Sequence, residues 1–296
     1  MGLELKNVSK TYSGKTVVDT ISFSLNKPGV YGLLGTNGAG KTTTIRMLLG
    51  IIKKDSGEIT WNGKTVDRKN VNFGYLPEER GLYQKTVIYN QLMYFAELKG
   101  MNKKDADNSI KKWAKMLKVE EYIDKTAEKL SKGNQQKIQL MTALIHDPEL
   151  IVLDEPFSGL DPVNTELLKN IIIDLVKNGK YIIMSAHQMQ TIEEFCSDIL
   201  ILNKGKTVLK GNLQEIKNSY PANRLKIQTN SDIESFIKDS NLQIENKVND
   251  IYTILINNES DAHGLLKKLI NANVEVSIFE IMKPTLNDIF VERVGK

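Results

Sequence analysis

Gly35, Gly38 and Gly40 lead directly into Lys41 and Thr42 in the segment Gly35-Thr36-Asn37-Gly38-Ala39-Gly40-Lys41-Thr42. This fits G-x-x-x-x-G-K-[ST], a loop whose chemistry is phosphate binding. With glycine at these places the backbone N–H groups around Asn37, Gly38, Ala39 and Gly40 can turn inward onto an anion. A side chain there would block the approach. Lys41 carries the charge for β- and γ-phosphates, and the Thr42 hydroxyl is placed to bind Mg²⁺, with Thr43 next to it. A second group suited to chemistry is Leu150-Ile151-Val152-Leu153-Asp154-Glu155. An apolar strand that ends in two acids delivers both carboxylates to the carboxyl edge of a sheet, where open α/β folds bind ligands. Asp154 can hold Mg²⁺ beside Thr42, which leaves Glu155 to polarise an attacking water as general base.

The elements that position these groups alternate between strands and helices. Gly29-Val30-Tyr31-Gly32-Leu33-Leu34 reads as a buried strand entering the glycine loop, and Thr43 to Leu49 reads as a helix stopped by Gly50. Leu3 to Val8 and Thr20 to Leu25 alternate with a period of two, and Gly57 to Lys64 reads as a strand closed by an Asn62-Gly63 hairpin turn. From about Val87 to Ile145 the period becomes helical, with Leu92, Phe95 and Leu98 on one face and Trp113, Met116 and Leu117 on another. The lysines between Lys103 and Lys118 read as a solvated helix face. Parallel-sheet signals return at Leu150–Leu153 and Tyr181–Met184, around a helix near Leu167 to Val176.

The chain has 296 residues, of which 41% are hydrophobic, enough for more than one packed domain. Its 40 basic and 36 acidic residues leave a net charge of +4, too small and dispersed to argue for a nucleic-acid partner. A single cysteine, Cys196, excludes an internal disulfide framework; placed after Ile192 and Phe195 on an expected helix, it reads as a buried thiol. No stretch approaches the roughly 20 apolar residues of a membrane span, so any work at a membrane needs another chain to cross it.

Further segments resemble, in order and spacing, the ATP-binding cassette (ABC) ATPases. Leu130-Ser131-Lys132-Gly133-Asn134-Gln135-Gln136-Lys137 is similar to the family's signature sequence, Ser158-Gly159-Leu160-Asp161-Pro162 to its D-loop, and Ser185-Ala186-His187 to its switch-histidine loop. Tyr12 stands where the family places an aromatic ring against adenine, and Glu78 stands where it usually has the Q-loop glutamine. Lys132 and Asn134 replace the usual glycine and glutamine of the signature. The resemblance spans about Leu3 to Ile216 and implies an α/β P-loop core with a helical subdomain at about 79–146. It also implies a homodimer in which Ser131, Gly133 and Asn134 of one subunit meet the ATP of the other, with Asp161 at the junction and His187 at the γ-phosphate. His146 has no such context. The segment Phe73 to Tyr83 resembles exporter ATPases paired with ABC-2 type permeases, including sodium-extruding (NatA-like) and drug-exporting ones. Those work at the cytoplasmic face of the membrane.

Asn218-Ser219-Tyr220-Pro221 reads as a linker, giving a first domain of residues 1–218 and a second of 222–296. In the second, the order β-α-β-β-α-β, followed by a helix after Pro284, predicts a small ferredoxin-like α+β domain. It resembles the accessory C-terminal domain of exporter ATPases. The expected function is that of an ATP-hydrolysing motor subunit of a membrane exporter. The alternative, a soluble ABC ATPase working on nucleic acid or ribosomes, calls for coiled-coil insertions, zinc cysteines or a second cassette, and the sequence has none of these.

Overall fold

A computed structural model describes residues 2–66, 71–79, 81–186 and 189–295. The chain divides into two compact units, one ending at Gly211 and the other beginning at Asn212.

The first unit opens with an antiparallel ribbon, β1 (Leu3–Tyr12) and β2 (Lys15–Leu25), turning at Ser13-Gly14. β3 (Gly29–Gly35) leads through the glycine loop into α1 (Lys41–Leu48). β4 (Ser56–Trp61) and β5 (Lys64–Thr65) form the expected hairpin, with Asn62 and Gly63 both at positive φ, as a two-residue turn of the right-handed ribbon requires. The chain continues through β6 (Phe73–Leu76), α2 (Ile88–Leu98), α3 (Lys103–Leu117), α4 (Lys132–Leu144) and β7 (Leu150–Asp154). It ends with α5 (Pro162–Lys177), β8 (Tyr181–Ser185), α6 (Met189–Phe195) and the neighbouring strands β9 (Cys196–Asn203) and β10 (Lys206–Asn212). Two sheets result: β2-β1-β4-β5, and a six-stranded sheet ordered β10-β9-β3-β8-β7-β6. In the latter the pairs β9/β3, β3/β8, β8/β7 and β7/β6 are all parallel. The central strands are buried on both faces, so Leu150–Leu153 and Ile182–Met184 read as continuous apolar runs without alternation. Between the sheets and α1 lies one core, which includes Leu5, Ile21, Leu33, Ile45, Leu48, Trp61 and Val152. Each such large side chain contributes about 1.5–3 kcal/mol through burial.

Two details differ from the periodicity, and the solvated lysine face of α3 agrees with it. In α2 the buried face is Ile88, Gln91, Leu92 and Ala96, whereas Leu98 is 64% exposed. Cys196 starts β9 instead of continuing the helix; it is buried, and burial raises its thiol pKa well above the usual range. The lysines of α3 are exposed, and the helix buries Ala106, Ile110, Trp113, Ala114 and Leu117.

The second unit starts with α7 (Leu213–Ser219), so the division falls ahead of this helix. It continues with β11 (Arg224–Thr229), α8 (Glu234–Lys238), β12 (Gln243–Val248), β13 (Ile251–Leu255), α9 (Glu259–Asn271) and β14 (Val276–Met282). The sheet order β12-β13-β11-β14, antiparallel throughout, is the ferredoxin-like arrangement. Leu225, Ile227, Tyr252, Ile254, Leu265 and Leu269 form its own core. α10 (Leu286–Val294) begins at a capping box made by Thr285 and Asp288, and Asp288 also holds Arg224 at 2.9 Å.

His146 gives the first unit a pH response. Its Nε2 lies 3.0 Å from the Phe73 carbonyl, and its buried Nδ1 has no hydrogen-bond partner among the described residues. Nε2–H therefore donates, and a second proton on Nδ1 would be stranded. Burial pushes the imidazole pKa down to about 4. Because the folded value lies below the unfolded one, this contribution to stability is complete above about pH 6.5 and is lost as pH falls toward 4. Allowing for partial solvation, His146→Gln should reduce the stability lost between pH 7 and pH 5 by about 1–2 kcal/mol, measured by urea unfolding at the two pH values. An unchanged pH difference would contradict this account.

Candidate active site

Strand order builds the site. β3, β8, β7 and β6 lie side by side and parallel, so their carboxyl ends share one edge. The glycine loop follows β3, Ser185 ends β8, Asp154 ends β7, and Pro77-Glu78 follows β6. At roughly 4.8 Å per strand, the loop and the acidic pair stand about 10 Å apart, with Ser185 between them. A cleft of about 440 Å³ results, lined by Val17, Asn37 to Thr43, Glu78, Asp154 and Glu155.

The loop's conformation needs glycine at two places in particular. At Gly35, φ is +153° and an added Cβ would fall 2.5 Å from the Leu202 carbonyl oxygen. At Gly40, φ is +101° and a Cβ would meet the Val17 carbonyl oxygen at 2.6 Å. Lys41 lies folded along the loop, its Nζ donating to the carbonyls of Gly35 at 2.8 Å and Thr36 at 3.3 Å. Burial lowers its pKa, and the charges of Glu155, Asp154 and Glu78 act in the opposite sense. Thr44 Oγ1 donates to the Gly40 carbonyl at 2.8 Å and fastens α1 to the loop.

Asp154 is 2% exposed and receives a hydrogen bond from the Ser185 hydroxyl. Burial raises its pKa; the Ser185 bond, Lys41 and Arg46 lower it, and Glu78 raises it further. Glu155 occupies the left-handed region at φ 52°, uncommon for a residue with a side chain. Its amide is held by the Ser185 carbonyl at 3.2 Å and the Ser185 Oγ at 3.1 Å. Ser185 thus fixes both acids.

The sequence-derived residues separate into groups. Asn37, Gly38, Ala39, Gly40, Lys41, Thr42, Thr43, Glu78, Asp154 and Glu155 meet at one cleft, and Gly35 opens the loop. Tyr12 is outside the lining, 46% exposed at the end of β1 with the Lys10 ammonium 5.1 Å from its ring centre. Ser131, Gly133 and Asn134 are outside it too. Ser131 is exposed and caps α4 by accepting from the Asn134 amide at 3.3 Å. A Cβ on Gly133 would make ordinary contact with Leu160 at 3.7 Å, so packing within the subunit does not by itself require glycine there. Asp161 caps α5, accepting from the Asn164 amide at 2.9 Å, which lowers its carboxyl pKa. His187 lies outside the described residues. Sequence reasoning did not single out Val17 as lining, or the double anchoring by Ser185. The only signal for the latter was a polar residue closing an apolar strand.

Comparison with known proteins agrees with this geometry. The profile of the ABC transporter family matches residues 18–158, and that of the C-terminal domain of DrrA1-3-like ATP-binding proteins matches residues 211–294. The chain is 42% identical to an uncharacterized ABC transporter ATP-binding protein, YhaQ, of Bacillus subtilis, over 99% of this chain and 98% of the relative. It is 30% identical to LptB of Haemophilus influenzae, the ATP-binding protein of a lipopolysaccharide export system, over 75% of this chain and 95% of the relative. A solved ATP-binding subunit of an ABC transporter superposes with a TM-score of 0.69 at 29% identity, covering 74% of this chain and 93% of that one. Among the described residues no helix is long and apolar enough to cross a membrane. A P-loop cleft completed by paired acids, on a chain aligned nearly end to end with such a relative, identifies an ATP-hydrolysing ATP-binding protein of the ABC transporter family, whose members work with a membrane permease, here with a DrrA-like C-terminal domain.

Proposed function

We propose that this chain is the motor of an exporter: two copies close head to tail on two Mg²⁺-ATP at the cytoplasmic face of the membrane, and hydrolysis reopens them to drive an ABC-2 type permease. The observation that carries the chemistry is the convergence of Lys41, Asp154, Glu155 and Glu78 on one cleft. Three carboxylates facing one ammonium would repel a bare triphosphate, so nucleotide must arrive with a divalent cation. The Thr42 hydroxyl and Asp154 carboxylate form an oxygen donor set suited to Mg²⁺, which characteristically keeps phosphate oxygens and waters as its other ligands. When bound, Mg²⁺ neutralises charge on the phosphates and orients them. Lys41 and the amides of the loop hold the β- and γ-phosphates, and Glu155, fixed at its amide, takes the proton of the attacking water. Tyr12, at the exposed end of β1, is available to stack on adenine.

Dimer pairing is supported by the exposure of Ser131 at the start of α4, which leaves a helix N-terminus open to a phosphate from another molecule. Asp161 holds the D-loop corner, and His187 is assigned to the γ-phosphate by its motif. Export direction is supported by the relative named for an export system and by the DrrA-like C-terminal domain. The net charge of +4 gives no argument for a nucleic-acid partner.

An exposed aromatic patch fits the permease side. Tyr83, Tyr94 and Leu98 are 56%, 51% and 64% exposed, and Phe95 packs against both tyrosines with ring centres at 6.3 and 5.6 Å. The patch follows closely on the Glu78 segment in the chain, so a permease seated there would feel the state of the cleft. Tyr94→Glu/Leu98→Glu should keep basal ATPase within about twofold and abolish copurification with the permease and transport in vesicles. Normal transport by this variant would remove the patch from the coupling route.

A further inference from the structure

α4 carries a run of glutamines that nucleotide binding does not explain: Gln135, Gln136 and Gln139, all buried. Gln135 donates to the carbonyls of Ala127 and Leu130, closing the turn ahead of the helix. Gln136 donates to the carbonyl of Pro156, the residue after Glu155, at 3.4 Å. Gln139 is 3% exposed, and its Nε2 donates to two carbonyls of another segment, Pro77 at 3.2 Å and Glu79 at 2.9 Å. These two carbonyls flank Glu78, whose carboxylate lines the cleft and acts on both Lys41 and Asp154.

We infer that Gln139 is a positioning residue that clamps the peptide groups on both sides of Glu78 and so sets where the Glu78 carboxylate stands in the cleft. The inference rests on reading Glu78 as a group that faces Mg²⁺ or the attacking water. β6 ends at Leu76, and beyond it the segment has no strand neighbour among the described residues to take its backbone carbonyls. Partly buried carbonyls need donors, and one amide nitrogen with two hydrogens serves both. Gln139 Oε1 is buried with no partner among the described residues, a cost of about 1–3 kcal/mol that a purely packing residue such as leucine would avoid. The donors are therefore what the position supplies. Ser131 caps α4 and Gln139 lies about 12 Å further along the helix axis, so a displacement of the signature end by a second subunit would be carried along α4 to the segment that holds Glu78.

The test uses the full chain. Gln139→Leu removes both donations while keeping an apolar fit. Its kcat should fall about tenfold or more with ATP Kd within about threefold of wild type, since the phosphate loop is untouched. The Mg²⁺ concentration for half-maximal nucleotide binding should rise, and amide hydrogen exchange in the peptide carrying Glu78 and Glu79 should accelerate about tenfold or more in nucleotide-free protein. Combined with Glu78→Ala, Gln139→Leu should add less than about a twofold further loss, because both act through one carboxylate. If the leucine variant does not fold, Gln139→Glu keeps the shape and can serve at most one of the two carbonyls, through the single O–H of its neutral form; it should show the same pattern. Turnover within twofold of wild type, or losses that multiply in the double variant, would overturn the clamp. Wild-type turnover in Glu78→Ala would instead remove the reading of Glu78, whereas loss in Glu78→Ala with none in Gln139→Leu removes the clamp alone.

Discussion

Glu155→Gln will bind Mg²⁺-ATP with near wild-type affinity and hydrolyse it about 10²–10⁴-fold more slowly, the usual effect of deleting a general base. The substitution changes one oxygen to an NH₂ and leaves the backbone where it is. The left-handed φ of 52° is held by the two Ser185 contacts to the amide, and neither depends on the side chain. With the base gone and the phosphate loop intact, the ATP-bound dimer should accumulate, visible as a shift to twice the monomer mass in sedimentation with ATP and Mg²⁺. Lys41→Ala should behave in the opposite way. It removes the ammonium that organises the loop through Gly35 and Thr36 and would meet the phosphates, so affinity itself should fall. Turnover by Glu155→Gln within tenfold of wild type would return the general-base role to another group.

The second large effect follows from the exposure of the signature segment. If Ser131 serves the partner's nucleotide, Ser131→Arg and Lys41→Ala homodimers should both be inactive. Mixed one to one, they should recover about a quarter of wild-type activity, on random exchange and independent sites. The reason is geometric. In the mixed dimer, the P-loop of the Ser131→Arg subunit faces the intact signature of the other, so one composite site is whole, and the second site collects both lesions. Ser131 is exposed, so an arginine fits there without disturbing the core and costs only the α4 cap, about 1 kcal/mol, while Lys41→Ala loses the two donations to the loop. Full activity in the Ser131→Arg homodimer would show that hydrolysis takes nothing from a partner's signature; no recovery on mixing would show that the two lesions do not fall in one composite site.

Sequence alone determined the parts of the site whose geometry is local. The glycine loop is legible because its shape needs only a few consecutive backbone angles, and Gly35 and Gly40 stand where a Cβ would strike a carbonyl. Asp154 and Glu155 are legible because an apolar run ending in acids defines a strand's carboxyl end. The Asn62-Gly63 turn and the ferredoxin-like order of the second unit follow from equally local signals. Tertiary structure decided everything that depends on which strand lies beside which. Ser185 lies between the P-loop strand and the acidic strand because β8 pairs with both, and no periodicity within residues 181–185 reports its neighbours. Likewise the helical period of α2 marked Leu92, Phe95 and Leu98 as one apolar face, but packing covers Leu92 and leaves Leu98 open. Hydrophobic spacing records that a side chain avoids water in some context; it does not say which element arrives to cover it. Gln139 shows the same limit for polar groups. In the sequence it is an unremarked polar residue after a signature, and only the path of the chain between residues 77 and 79 makes its two hydrogens matter, because hydrogen-bond partners sixty residues apart are chosen by the fold and not by neighbours in the chain.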